Sequence, residues 1–424
     1  MLHFVDNHRH NSMKVTLLTL GCRVNQSESS ILEGTLKASG ATMVSLKDNP
    51  DYCVVNTCSV TSKSDYNSRQ LLRRAAKTGA KVIVTGCYSQ LRPEVVSSIP
   101  GVTDVIDIKK KYEIIKLITG TQSDLVFGSH SRSRPYLKVQ DGCNLRCSYC
   151  IVPLARGNSR SLPLDEVVRR AQAIEGGGYH EVVLTGIHLG TYGHDLEERI
   201  SIAILLKKLL LKTTTLRIRL SSLEINEVDD ALMELLQEDR VCKHLHLPLQ
   251  SGSEKILRLM RRCYSARDFT RRVHSVASRI DNIALGTDVI CGFPGESEYE
   301  FMETYKLLAG APFSYLHTFP FSPRPDTQAA NMSGRVSNGV MSERIGRLKE
   351  LHATLKRRYM IGQIGRSFDV ILEEEIDEIT AVGTSDNYLK IACLRGEHGK
   401  GSRIDVKADR VRGGILEGVV IRKS

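Results

Sequence analysis

Between Val15 and Cys87 one phrase occurs three times: a short apolar run, then one or two small or polar residues, then a cysteine. VTLLTLGC ends at Cys22, DYCVVNTC at Cys58 and KVIVTGC at Cys87. Helix-forming stretches separate these runs, NQSESSILEGTLKASG and SDYNSRQLLRRAAKTG, each stopped by a glycine. RPEVVSSI and the pair VTDVIDI and KYEIIKLITG continue the alternation to about residue 125. Strand–helix alternation predicts a parallel sheet with helices on its faces. Ligands of such sheets collect at the carboxyl ends of the strands, so Cys22, Cys58 and Cys87 are expected to converge on one sheet edge. Cys53 lies inside its strand, where a thiol behaves as a small hydrophobe of the core.

A small basic linker, GSHSRSRP (Gly128–Pro135), marks a boundary, and the alternation then restarts. Its strand candidates are YLKVQ, EVVLTG, LRIRLSS, HLHLPLQ, IALGTDVICG and YLHTFPFS, with helical runs between them. Six βα units predict a barrel left incomplete, because closure needs eight. From Ile361 the chain changes to five short strands with turn residues between them, the pattern of a small antiparallel barrel that binds oligonucleotides; a stabilising appendage is the alternative. The fold class is therefore α/β with an N-terminal parallel sheet domain (13–127), a central partial (βα)6 barrel (132–358) and a C-terminal β-barrel (361–424). Residues 1–12 read as a disordered leader whose His3, His8 and His10 offer a stray metal site as the weaker reading.

Composition narrows the setting. The greasiest stretch, IAILLKKLLLK, is broken by lysines, so no membrane span is expected, and the N-terminus has no apolar core of a secretory signal. Eleven cysteines without an export signal read as a reduced, cytoplasmic protein whose grouped thiols hold metal. The net charge of +11 points to an anionic partner such as nucleic acid.

Directly after the first barrel strand comes DGCNLRCSYC, placing Cys143, Cys147 and Cys150 in a C-x3-C-x2-C array. Structural zinc takes four ligands, and the local loop holds no fourth cysteine or histidine. A four-iron cluster on three thiolates leaves one iron open for a cofactor.

CNLRCSYC resembles the radical S-adenosylmethionine superfamily, with Tyr149 matching the aromatic that commonly precedes the third cysteine. TLGCRVNQSES, VNTCSVTSKSD, VTGCYSQ, RIRLSSLE, HLHLPLQSGSEKILRLMRRCYS, DVICGFPGE and FPFSPRPDT extend the resemblance to the methylthiotransferases, and VGTSDNYLKI resembles their RNA-binding TRAM domain. The resemblance implies a 4Fe–4S cluster on Cys143, Cys147 and Cys150 that binds S-adenosylmethionine and releases a 5′-deoxyadenosyl radical. It implies a second 4Fe–4S cluster on Cys22, Cys58 and Cys87 that carries the sulfur to be inserted. One S-adenosylmethionine donates the methyl group and another supplies the radical. Removal of an unactivated hydrogen is beyond side-chain acids and bases, so no catalytic acid or base residue is expected.

Barrel geometry adds cofactor-binding candidates at strand ends: Gly186, His188, Ser222, Glu224 and Gln250, against which stands the reading that each is a polar loop residue. The turn CGFPGES reads as a tight strand-to-helix connection, since Pro294 removes an amide that a phosphate cradle would use. Ile256–Arg279 carries seven arginines against one aspartate and offers Arg261, Arg262, Arg271 and Arg272 as RNA contacts, with a solvated helix face as the equal alternative. In the terminal barrel Asn387, Tyr388 and Lys390 are further RNA candidates. Cys242, Cys263, Cys291 and Cys393 are taken as core thiols.

Within the family, CRVNQ after Gly21 and LTGIHLGTYG resemble the branch acting on threonylcarbamoyladenosine in tRNA. The alternatives are the branches acting on isopentenyladenosine in tRNA or on a ribosomal-protein aspartate. Ile225 departs from the proline frequent after the glutamate, which bears on loop shape only. The resemblance implies tRNA and an electron donor such as flavodoxin or ferredoxin as partners, and a monomer. A non-catalytic iron–sulfur RNA-binding or redox-sensing protein is the reading from another class.

Overall fold

The computed structural model describes residues 12–128 and 132–421. The leader up to residue 11 and the centre of the Gly128–Pro135 linker lie outside the described residues. The chain divides into two compact units, Met1–Ser129 with Leu154–Arg156, and His130–Pro153 with Gly157–Ser424.

The first unit is a five-stranded parallel sheet of β1 (Lys14–Thr19), β2 (Thr42–Met43), β3 (Tyr52–Thr57), β4 (Lys81–Gly86) and β5 (Val102–Val105), in the order β2-β1-β3-β4-β5. Its apolar runs need covering on both faces, which explains why strands such as CVV and KVIV do not alternate with polar residues. Val15, Val54 and Ile83 pack with Leu32, Leu36 and Ile115 on one face. Cys53, Val55, Val82 and Val84 pack with Leu72 and Ala75 on the other, so Cys53 is a core thiol. The order of strands reverses between β1 and β3, and a ligand crevice forms outside the carboxyl ends at such a switch point. In the helix Arg23–Ala38 the polar first half, including Asn25, Ser27, Glu28 and Ser29, is buried.

The second unit contains six parallel strands, β6 (Tyr136–Lys138), β9 (Glu181–Thr185), β10 (Arg217–Leu220), β11 (His244–His246), β12 (Ala284–Cys291) and β13 (Tyr315–Pro320). A short hairpin of β7 (Gln140–Asp141) and β8 (Arg160–Ser161) follows β6. The backbone of Ile218 links β10 to the approach to β11, accepting from Cys242 N and donating to Arg240 O. Six strands with helices outside form the open barrel read from the sequence. Outward-facing Leu245, Leu285 and Leu316 are buried, whereas the opposite face carries His244, His246, Asp288, Tyr315 and His317 in register.

A 24-residue helix, Asn338–Ile361, N-capped by Ser337, leads to a closed barrel. Its strands β14 (Ser367–Glu375), β15 (Thr380–Ser385), β16 (Lys390–Leu394), β17 (Arg403–Arg412) and β18 (Ile415–Val420) close in the order β14-β15-β16-β18-β17. The β16–β18 ladder is parallel and the other four are antiparallel. Cys242, Cys291 and Cys393 are buried as expected, but Cys263 is exposed, because it follows the end of a short helix instead of lying in a strand. Among the described residues no helix is long and apolar enough to cross a membrane.

A charge cluster ties this unit together. Glu181, fully buried, accepts from Arg217 (2.6 Å), Arg219 (2.7 Å) and Arg134 (3.3 Å). The arginines also reach the terminal barrel: Arg217 donates to Asp369 O at 2.7 Å, Arg219 to Ser385 O at 2.8 Å and Asp386 O at 3.0 Å, and Arg134 to the Glu373 carboxylate at 2.7 Å. Removing one partner of a buried ionic network leaves uncompensated charge. Glu181→Gln is expected to lower unfolding stability by about 3–5 kcal/mol, read as a lower urea midpoint at unchanged m-value.

Candidate metal centres

Each half of the sequence reading places three thiols at strand ends, and the structure shows how the local chain does this. In the first unit Gly21 precedes Cys22 with φ +100°, and a Cβ there would stand 2.8 Å from Cys58 Sγ. Gly86 precedes Cys87 with φ +103°, and its Cβ would meet the Thr57 carbonyl oxygen at 2.4 Å. Glycine at both positions lets the chain turn off the sheet while pressed against β3, which brings the following cysteine to the same edge. Cys58 and Cys87 are buried and Cys22 is exposed. The three are close enough that Cys22 adds to the cost of ionising Cys58, and Cys22 and Cys58 both add to that of Cys87.

Burial pushes the Cys87 thiol up to about 11, and the Arg156 guanidinium opposes that shift by charge and hydrogen bond. Arg156 is itself held in place, donating to Asn25 Oδ1 (2.5 Å) and to both oxygens of Glu28 (3.0 and 3.3 Å). Lys111 also pairs with Glu28. All three charged groups are buried, so two cations face one carboxylate beside the thiols. This is why the polar start of the Arg23–Ala38 helix is buried. Asn25 further donates to Leu20 O (2.8 Å) and Thr57 O (2.9 Å), joining the loops that carry Cys22 and Cys58.

In the second unit the loop after β7 carries Cys143, Cys147 and Cys150. Gly142 at φ +71° lets the chain pass the Asn158 carbonyl, which a Cβ would meet at 2.1 Å. Ser148 anchors the loop, its amide donating to Met260 O and its hydroxyl to Leu259 O. Burial raises the Cys147 thiol, with Arg262 opposing, and pushes Cys150 up to about 12. Arg262 Nη1 donates to Cys147 Sγ at 3.3 Å, and the same guanidinium pairs with Glu224 and donates to Tyr264 Oη.

The cofactor-binding candidates divide. His188 Nδ1 lies 3.7 Å from Cys143 Sγ and its Nε2 2.5 Å from Glu227, while its amide donates to Gln140 Oε1. Glu224 reaches the loop through Arg262. Tyr149 is inside the loop, edge-on to Phe293. Gly186 gives Gln140 room, since a Cβ would stand 2.9 Å from its Oε1. Ser222 is exposed at the end of β10. Gln250 takes φ +69° and is held against β12 by backbone bonds to Asp288 and Ile290. The loop after Glu224, where Ile225 replaces proline, forms a single helical turn with Glu224 and Glu227 capping each other's backbone. The CGFPGES turn is closed by Glu296, which accepts from the Gly292 amide and pairs with Arg344.

The RNA candidates need correction. Arg262 is not a surface cation: its side chain is 4% exposed and occupied by Cys147 and Glu224. Arg261, Arg271 and Arg272 are exposed, Arg271 paired with Asp268. Asn387 is buried on Ser385 and Tyr359. Tyr388 stacks on His244 with centroids 4.3 Å apart and lies under Arg219, so its ring is used in docking the terminal barrel. Lys390 is half exposed and paired with Glu373.

Both triads fit a multi-iron group better than a single ion. A zinc held by thiolates needs its sulfurs about 3.8 Å apart, from Zn–S near 2.3 Å. Among the described residues neither set of three thiols gathers within 4.8 Å. Three ligands, spread wider than one ion can span, suit a cubane with one iron left open.

Residues 137–308 match the Radical SAM superfamily and residues 14–107 match "Uncharacterized protein family UPF0004". The threonylcarbamoyladenosine tRNA methylthiotransferase MtaB of Bacillus subtilis is 36% identical, covering 96% of each chain. The chain belongs to the radical S-adenosylmethionine methylthiotransferases. These enzymes use two 4Fe–4S clusters and S-adenosylmethionine, and this methylthiotransferase shares that cofactor set. The corresponding protein of Thermotoga maritima is 35% identical, covering 93% of this chain and 94% of its own. A tRNA-2-methylthio-N(6)-dimethylallyladenosine synthase of Sulfurimonas denitrificans is 31% identical over 96% and 99%. The fold is similar to the radical S-adenosylmethionine methyltransferase TsrM of Kitasatospora setae, TM-score 0.58 at 13% identity, covering 75% of this chain and 77% of that one.

Arg156, Gln140 and the role of Arg262 were missed by sequence reasoning. Arg156 stands in VPLARG, just after CNLRCSYC, but nothing local reveals what it touches. The methylthiotransferase is expected to take up about eight irons per chain on anaerobic reconstitution. Cys58→Ala and Cys147→Ala are each expected to retain about four, measured by iron and sulfide analysis. Arg156→Met, which strands Glu28 with only Lys111, is expected to cost about 3 kcal/mol of unfolding stability and to lower iron retention in the Cys147→Ala background.

Proposed function

We propose that the enzyme inserts a methylthio group at carbon 2 of N6-threonylcarbamoyladenosine next to the anticodon of tRNA. The observation that carries the reading is the pair of three-thiol sites, each at the carboxyl edge of its own parallel sheet, combined with relatives of that name at 36% and 35% identity over nearly the whole chain. Cys143, Cys147 and Cys150 hold the cluster that binds S-adenosylmethionine, and Cys22, Cys58 and Cys87 hold the other.

Bound there, the clusters and S-adenosylmethionine supply the radical, the methyl group and the sulfur. This chain's own residues set the environment. Burial keeps Cys87, Cys147 and Cys150 protonated until iron displaces the proton, since ligation requires the thiolate. Arg156 and Arg262 compensate the negative charge that three thiolates bring, one at each triad. Tyr149 and Phe293 wall the cysteine loop, and His188 and Glu224 hold polar atoms beside it.

The net charge of +11 and the exposed Arg261, Arg271 and Arg272 support tRNA as the partner. The closed terminal barrel is read as the TRAM domain and as a second RNA contact. Flavodoxin or ferredoxin is the proposed electron donor, and the chain acts as a monomer. The dimethylallyladenosine relative at 31% identity supports the second reading, the same reaction on isopentenyladenosine.

Mass spectrometry of tRNA nucleosides from a deletion strain tests the assignment. The expected result is loss of 2-methylthio-threonylcarbamoyladenosine with its unthiolated precursor accumulating. Persistence of that nucleoside in a genome without a second such enzyme, or loss of the isopentenyl counterpart instead, overturns it.

A further inference from the structure

Three strands of the open barrel bring a different ligand set together on their inner face. His246 on β11 lies level with Gly286 on β12 and Tyr315 on β13, and Asp288 lies level with His317 one step further along. His246 Nε2 stands 2.9 Å from Asp288 Oδ1, and His317 Nδ1 stands 3.2 Å from the same oxygen. All three ligand atoms lie within 4.8 Å of one another. None of these residues is used by the thiol sites. His246 is buried, Asp288 is 23% exposed and His317 is half exposed.

These dimensions are those of a single-ion site. With metal–ligand bonds of about 2.1 Å, adjacent ligands stand about 3.0 Å apart on an octahedron and about 3.4 Å apart on a tetrahedron. Two imidazoles and one carboxylate form the donor set of zinc and non-haem iron sites that keep positions open. A ligating imidazole ordinarily has its second nitrogen bonded to a polar group that fixes its orientation. Here His246 Nδ1 stands 3.0 Å from Tyr315 Oη, which in turn stands 2.8 Å from His244 Nε2. His246 and His317 rings pack at 5.1 Å, and Tyr315 packs against both. Gly286 is required by this arrangement, because a Cβ there would stand 2.0 Å from the Tyr315 ring.

We infer that His246, Asp288 and His317 bind one divalent cation of the zinc class inside the barrel, separate from both thiol sites. The cation's remaining positions face the lumen and take oxygen ligands. His317 on the edge strand is the accessible ligand through which the ion enters.

The test uses the full-length enzyme with both clusters reconstituted, exposed to one equivalent of zinc ion and then desalted. The expected result is about one zinc per chain at unchanged iron content, with a zinc X-ray absorption first shell of nitrogen and oxygen and no sulfur. His317→Ala and Asp288→Asn are expected to lose that zinc, and Tyr315→Phe to bind it about 10–100-fold more weakly, all with wild-type iron content. His3, His8 and His10 remain in every variant, so zinc held by the leader would persist. Zinc absent from the wild type, retained equally by His317→Ala and Asp288→Asn, or bound through sulfur overturns the inference.

Discussion

Glu181 has no exposed surface, and a carboxylate in that position must be met by positive charge or surrender its own. It is met by three arginines, of which Arg134 also pairs with Glu373 and Arg217 with Asp369. Arg217 and Arg219 also donate to carbonyl oxygens at Asp369, Ser385 and Asp386, which is how the terminal barrel is fastened beneath the open one. The joint is made of arginine donors with backbone and carboxylate acceptors, with Tyr388 stacked on His244 at its side. The inner face of the barrel is consequently polar from this joint upward, through His244, Tyr315 and His246 to Asp288 and His317.

The first unit repeats the principle on a smaller scale. Glu28 is buried with Arg156 and Lys111 around it, and the excess positive charge lies beside Cys87. Arg262 stands in the same relation to Cys147, with Glu224 as its counter-ion. At both triads burial makes the free thiolate costly, while a fixed guanidinium offsets part of that cost. Such an environment favours deprotonation when a cation is there to take the proton's place.

The parallel sheets explain why these groups are where they are. Strand ends gather on one edge, so residues far apart in sequence meet without a dedicated scaffold. Cys22, Cys58 and Cys87 follow three strands of one sheet; His188, Glu224 and the cysteine loop follow three strands of another. Glycine immediately before Cys22, Cys87 and Cys143 permits the close passage that each turn needs.

Strand–helix periodicity, three repeated cysteine endings and the C-x3-C-x2-C array were legible in the chain itself. They determined the sheet types, the strand count of the open barrel and the six thiols, because backbone pairing and ligand chemistry depend on local pattern and residue type. RIRL, with Arg217 and Arg219 alternating against apolar neighbours, also held a readable sign of a charged inner face. What the sequence could not say was which opposite charges would meet. Arg262 looked like one cation in an RNA-facing stripe and proved to be a buried partner of Cys147; Asn387 and Tyr388 were RNA candidates, and their side chains are engaged by Tyr359 and His244. Arg156 reaches Glu28 across 128 positions of chain. His246, Asp288 and His317 share a site only because three strands fall into one register. Local pattern selects elements, but the pairing of long polar side chains depends on distances that exist only after those elements have packed.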